Sequence, residues 1–139
     1  NKLYFGYKFS TKKILFVWIV LIINLIFIIN LFLKIFWGRA RPGDILELGG
    51  KDYFSPWYQI SDACTSNCSF VSGDAAVGFS LILLYFVSNN LKYVYLSIIF
   101  GSLLGFIRIA EGGHFLSDVV FSAIILFLFG FIIKKFLFK

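Results

Sequence analysis

An apolar run at positions 14–33, interrupted only by Asn24 and Asn30, dominates the first quarter of the chain. A helix of that length crosses a hydrocarbon core of about 30 Å, so a transmembrane helix is predicted over about 14–36. A signal peptide is excluded, because Lys34-Ile35-Phe36-Trp37 follows the run where a small-residue cleavage site would be needed. Three further apolar stretches, 75–87, 93–107 and 119–133, are each too short to span alone. They reach spanning length when read as 70–87, 93–110 and 115–133. That reading draws Ser72, Gly73, Asp74, Arg108 and Asp118 into the terminal turns, where ionisable groups are costly and usually functional. The expected architecture is all-α, a single membrane domain over 1–139 with four transmembrane helices and an outer loop at 37–69.

Composition reinforces this picture. The chain of 139 residues is 60% hydrophobic and only 14% charged, with a mean hydropathy of +0.90; soluble domains carry about 25% charged residues. A soluble enzyme, a disordered tail and a disulfide-dense secreted scaffold are therefore excluded. Thirteen basic against seven acidic residues give a net charge of +6. The basic residues lie mainly beside apolar runs, so they are topology charges and no nucleic-acid partner is expected. Lys2, Lys8, Lys12, Lys13, Lys92, Lys134, Lys135 and Lys139 fall on one side of the bundle with no acid among them. The positive-inside rule makes that side cytoplasmic and turns 34–74 and 108–118 outward.

Two cysteines and one histidine do not suffice for a structural zinc site, and neither metal nor cofactor is expected. Cys64 and Cys68 lie four positions apart in the outer loop, where an oxidising compartment permits a bridge; two free thiols are the alternative. Trp57 and Tyr58 suit a loop resting on the interface. The sequence begins with Asn1 and not Met, so a fragment or processed product is expected.

Under this topology four helix ends converge on one outward-facing site. Lys34, Arg41 and Arg108 are cations suited to an anion, the two arginines as planar forks of donors. The corner Ser72-Gly73-Asp74 opens a helix, where backbone N–H groups and the helix dipole favour negative charge, and Gly73 leaves the approach open. His114 and Asp118 are four residues apart, hence on one helical face. A carboxylate at one imidazole nitrogen would leave the other as nucleophile or base. Blander readings stand beside these. Lys34 and Arg39 could be snorkelling anchors, and Ser72 and Asp74 helix caps. Asp44, Glu47, Asp62 and Glu111 read as solvated loop acids, and Asn24 and Asn30 as interhelical hydrogen-bonding groups.

These residues resemble the type 2 phosphatidic acid phosphatase family. Lys34 through Arg41-Pro42 looks like its first motif, Lys-x6-Arg-Pro, including the Gly38-Arg39-Ala40-Arg41-Pro42 ending. Val71-Ser72-Gly73-Asp74 is similar to its second motif, Pro-Ser-Gly-His, with two departures. Arg108, His114 and Asp118 match the third at full spacing, with Ile107 where the family has Ser. Within the family, the runs 67–74 and 112–118 look most like bacterial lipid A phosphatases, which implies a bacterial inner membrane with the site facing the periplasm or exterior. Family members usually have six spans with the first motif after the third, so two N-terminal spans are expected to be missing here.

The resemblance implies a metal-independent phosphatase acting on a lipid headgroup. His114 would attack phosphorus and Asp118 would orient it; Lys34, Arg41 and Arg108 would neutralise the phosphoryl oxygens, with Ser72 and Gly73 adding donors. Asp74 would take the acid's place from the family's histidine. Lipid A is the favoured substrate, with phosphatidylglycerol phosphate, phosphatidic acid and undecaprenyl diphosphate as alternatives. The rival reading is a non-catalytic relative or an anion-binding membrane protein.

Overall fold

The computed structural model describes residues 10–138; the topology charges read at Lys2, Lys8 and Lys139 lie outside the described residues. The first apolar run forms one long helix, α1 (11–37), built from an α-helical stretch Thr11–Leu21, a π-helical stretch Ile22–Leu33 and a final α-helical turn Lys34–Trp37. It stops at Gly38, whose φ of 56° is left-handed. A side chain there would put its Cβ 1.9 Å from the Ser61 carbonyl oxygen, so only glycine permits this helix end.

The apolar helix α2 (Gly73–Ser88) follows the loop. Its N-cap is Ser72, whose Oγ accepts from the Ala75 N–H at 3.3 Å. Phe70 and Val71, expected in its first turn, precede it and are buried with Ile29, Leu33 and Ala76. Helices α3 (Lys92–Ala110) and α4 (Leu116–Leu137) complete the bundle. Among the described residues, three helices are long and apolar enough to span a bilayer, not the four expected. With 16 residues, α2 rises only about 24 Å. The chain is an integral membrane bundle of three spanning helices and a shorter apolar one.

Small residues let the helices approach closely. A Cβ on Gly78 of α2 would lie 2.7 Å from Gly101 Cα on α3, and Ser97 Oγ on α3 donates to the Phe79 carbonyl at 2.7 Å. At one end of the bundle Phe16, Val20, Leu83, Phe86, Val87 and Leu126 form a dry core from α1, α2 and α4. The interhelical reading of the two helix-one asparagines is not what the structure shows. Asn30 Nδ2 donates to the Leu25 carbonyl of its own helix at 2.7 Å, five residues back, as the π-helical turn allows. Asn24 is fully buried with neither amide atom hydrogen-bonded among the described residues.

Segment 38–72 is irregular, with short 3-10 turns at Pro42–Asp44 and Leu46–Leu48 and an isolated bridge between Ile45 and Asp52. It folds back along the end of α1. Ser61 N–H donates to the Trp37 carbonyl, Cys64 N–H to Gly38 and Ser69 N–H to Arg39. A disulfide joins Cys64 and Cys68. Gly43 N–H donates to the Gly112 carbonyl at 2.9 Å, which ties this segment to the turn between α3 and α4.

Candidate active site

Local chain geometry brings the three sequence motifs to one end of the bundle. The turn after α3 is closed by Gly113 and His114 N–H groups donating to the Arg108 carbonyl, and Phe115 in an extended conformation caps α4. His114 is thereby placed just before the helix and Asp118 in its first turn. The Phe115 N–H donates to Asp118 Oδ2 at 2.9 Å, a side-chain cap on the helix start.

The imidazole is almost fully buried. Its Nδ1 lies 2.6 Å from the Ser69 carbonyl oxygen and 3.7 Å from Asp118 Oδ2. A carbonyl only accepts, so Nδ1 carries a proton, and in the neutral imidazole Nε2 is the nitrogen with the lone pair. The hydrogen bond expected from Asp118 is made by the loop backbone, and Asp118 stands one step behind it. Its Oδ2 accepts from Ser69 Oγ at 2.5 Å, so one residue links both groups. Its Oδ1 accepts from Arg39 Nη1 at 2.6 Å. Both side chains of that ion pair are buried, at 3% and 0% exposure. The anchor reading of Arg39 is thus corrected: its head points inward.

The cations group differently. Lys34, buried at the end of α1, donates from Nζ to Asn67 Oδ1 at 3.0 Å. Arg41 donates through Nε and Nη2 to the Asn67 carbonyl at 3.1 and 2.8 Å. Asn67 lies inside the ring closed by the Cys64–Cys68 disulfide and has a φ of 50°, a left-handed conformation that Asn tolerates. Arg108 contacts Asp74 through Nε at 2.9 Å and Glu111 through Nη1 at 2.5 Å. The Asp74 contact is a close ion approach that lacks the alignment of a hydrogen bond. Glu111, expected as a solvated loop acid, is an ion-pair partner. Lys34 feels the charges of Arg41, Arg108 and Asp74, so these four groups share one neighbourhood.

Ser72 is fully buried. Its Oγ caps α2, and its N–H donates to the Asp118 carbonyl at 3.2 Å, so its backbone donor is committed to the protein. At Gly73 a Cβ would meet only Asn30 Oδ1, at 3.9 Å; the protein itself does not require glycine there. Among the described residues no three His, Cys, Asp or Glu side chains are grouped as metal ligands. Sequence reasoning passed over Ser69 and Asn67 and left Arg39 undecided. Only Arg39 had a signal of its own, a basic residue two positions before the motif arginine.

A neutral imidazole held through one nitrogen can use the other to attack an electrophile, and the cations Lys34, Arg41 and Arg108 at the same end of the bundle suit one that carries negative charge. Residues 14–139 match the PAP2 superfamily. The chain belongs to that superfamily. It is 35% identical over 132 residues to a lipid A 4'-phosphatase of Francisella tularensis subsp. novicida, covering 92% of this chain and 60% of that protein. It is 39% identical over 103 residues to a lipid A 4'-phosphatase of Rhizobium leguminosarum and 38% over 102 residues to one of Rhizobium etli. Those matches cover 72% and 71% of this chain and 44% and 40% of the two relatives. The chain thus spans between 40 and 60% of the length of these PAP2 relatives. No solved structure matches it.

Proposed function

We propose that this chain forms a single phosphatase domain that removes a phosphate monoester from a membrane lipid headgroup through a phosphohistidine on His114. The observation that carries the reading is the bond from His114 Nδ1 to the Ser69 carbonyl, which supports Nε2 as the nucleophile in the neutral imidazole, with Lys34, Arg41 and Arg108 at the same end of the bundle. In the first step Nε2 attacks phosphorus and the bond from phosphorus to the lipid oxygen breaks. The three cations neutralise charge building on the equatorial oxygens, and the N–H of Gly73 at the start of α2 adds a donor. In this reading Asp74, 2.9 Å from Arg108 Nε, enters the first step protonated and gives the leaving oxygen its proton. In the second step water attacks phosphorus and gives a proton to the Asp74 carboxylate, the P–N bond breaks and inorganic phosphate departs, without metal or cofactor.

Lipid A is the favoured substrate, because three relatives carry the name lipid A 4'-phosphatase. Phosphatidylglycerol phosphate, phosphatidic acid and undecaprenyl diphosphate share the chemistry. Lys12, Lys13, Lys92, Lys134 and Lys135 at the opposite end of the bundle support a cytoplasmic assignment for that end. The site then faces the periplasmic side of a bacterial inner membrane.

Phosphate release from these lipids by the purified protein tests the reading. Release in EDTA, inhibition by vanadate as a mimic of the five-coordinate state, and silence of His114→Ala are expected. EDTA-sensitive release restored by a divalent cation would contradict the mechanism. Phosphate binding without His114-dependent release would favour an inactive, anion-binding relative.

A further inference from the structure

Arg39 makes more contacts than an anchor needs and none that a substrate could use. Nε donates to the Ser55 carbonyl at 2.9 Å; Nη1 donates to Ser117 Oγ at 2.8 Å and to Asp118 Oδ1 at 2.6 Å. The guanidinium carbon lies 4.0 Å from the Phe115 ring centroid and 5.7 Å from that of Phe54. Ring faces favour a cation in that position. The group is 3% exposed, so it is walled off from solvent, whereas Arg41 and Arg108 are partly exposed.

We propose that Arg39 is a positioning residue for His114, acting through Asp118. The inference rests on the reading of His114 as nucleophile. The chain of contacts is short: Arg39 fixes Asp118 Oδ1, Asp118 Oδ2 fixes the Ser69 hydroxyl, and the Ser69 carbonyl fixes Nδ1–H. A second effect is electrostatic. Asp118 Oδ2 stands 3.7 Å from Nδ1, and an unbalanced carboxylate there favours the imidazolium, which has no lone pair to attack with. Arg39 supplies the balancing charge. The other charged groups around the imidazole are Lys34 on α1, Arg41 after it, Asp74 on α2, and Arg108 and Glu111 at the end of α3. The cations among them oppose imidazolium formation and the two acids favour it. They belong to the cleft and remain in place when Arg39 is changed.

The test compares Arg39→Gln and Arg39→Lys with the unmodified protein in its membrane fraction, reading kcat, KM and the pH–rate profile on a lipid phosphate. Arg39→Gln is expected to lower kcat by about 10²-fold, the scale of a misplaced catalytic group, with KM little changed. Its acidic limb is expected to move to higher pH, because Asp118 now holds a proton on the imidazole. Arg39→Lys keeps the charge but not the fork, so it should recover part of kcat with the limb at its original pH. Wild-type kcat and profile in Arg39→Gln would overturn the proposal. So would a loss shared by KM and kcat with an unmoved profile, which is what general loosening gives. If Arg39→Gln does not accumulate, Arg39→Lys decides: reduced kcat at unchanged KM supports the positioning role, and full activity sinks it. Absence of His114-dependent release from the unmodified protein would instead overturn the reading on which the inference rests.

Discussion

Two polar clusters sit side by side at one end of the bundle and are built on opposite rules. In the inner one, Arg39, Asp118, Ser69 and His114 are linked by successive buried contacts, and burial makes any lost partner expensive. In the outer one, Lys34 and Arg41 rest on the neutral oxygens of Asn67, and Arg108 is paired with two acids that are 59% and 54% exposed. Exposed ion pairs such as those of Arg108 are weak and exchangeable. On the proposed mechanism, the inner cluster would aim the nucleophile and the outer one would leave its cations to be claimed by an arriving phosphate.

The sharpest way to break this comparison is Asp118→Ala, which strands Arg39 as a buried cation. A loss of about 3–5 kcal/mol in stability is expected, with activity down about 10³-fold or more. Thermal unfolding in detergent beside phosphate release checks both, and an unchanged Tm would show that the inner cluster is not the rigid one. Arg41→Gln should do the reverse, lowering kcat/KM by about 10²–10³-fold while stability stays within about 1 kcal/mol.

Asp74→Asn sharpens the contrast further. It keeps the size and removes the transferable proton, at a stability change within about 1 kcal/mol. Lipid hydrolysis should fall by about 10²-fold, and hydrolysis of an aryl phosphate, whose leaving group needs little protonation, should fall much less. Equal lipid activity in Asn and wild type would leave Asp74 without a catalytic part. The smallest effect is expected at Gly73→Ala. The new methyl meets no protein atom closer than 3.9 Å, so stability should rise by about 0.5 kcal/mol. KM should increase several-fold if the open space belongs to the substrate.

Much of this was legible in the chain, for reasons that differ by residue. Apolar length announced α1, α3 and α4, because lipid demands it. The start of α2 was less legible: Phe70 and Val71 are as apolar as a helix turn, but they fill the gap beneath α1 in non-helical backbone. Spacing along one helix brought His114 and Asp118 together on paper, yet the partner of Nδ1 is a main-chain carbonyl, and a carbonyl has no letter in the sequence. Arg39 finds its carboxylate 79 positions away, a separation that no local pattern encodes. The disulfide was allowed for but not decided: three residues separate the two cysteines in an outer loop, and spacing alone does not tell a bridge from two free thiols. Asn30 misled because its side chain turned back on its own π-helical turn.

The shortness of α2 has a consequence for the bilayer itself. A hydrocarbon slab of about 30 Å meets a helix of about 24 Å, so the membrane around that helix must dimple or admit water to match it. Thinning at the Gly73 end of the helix would lie beside Asp74 and Arg108. On the proposed function, a lipid phosphate at ordinary headgroup height would then be lowered toward His114 by the deformation of its own solvent, with no need to be lifted out of it.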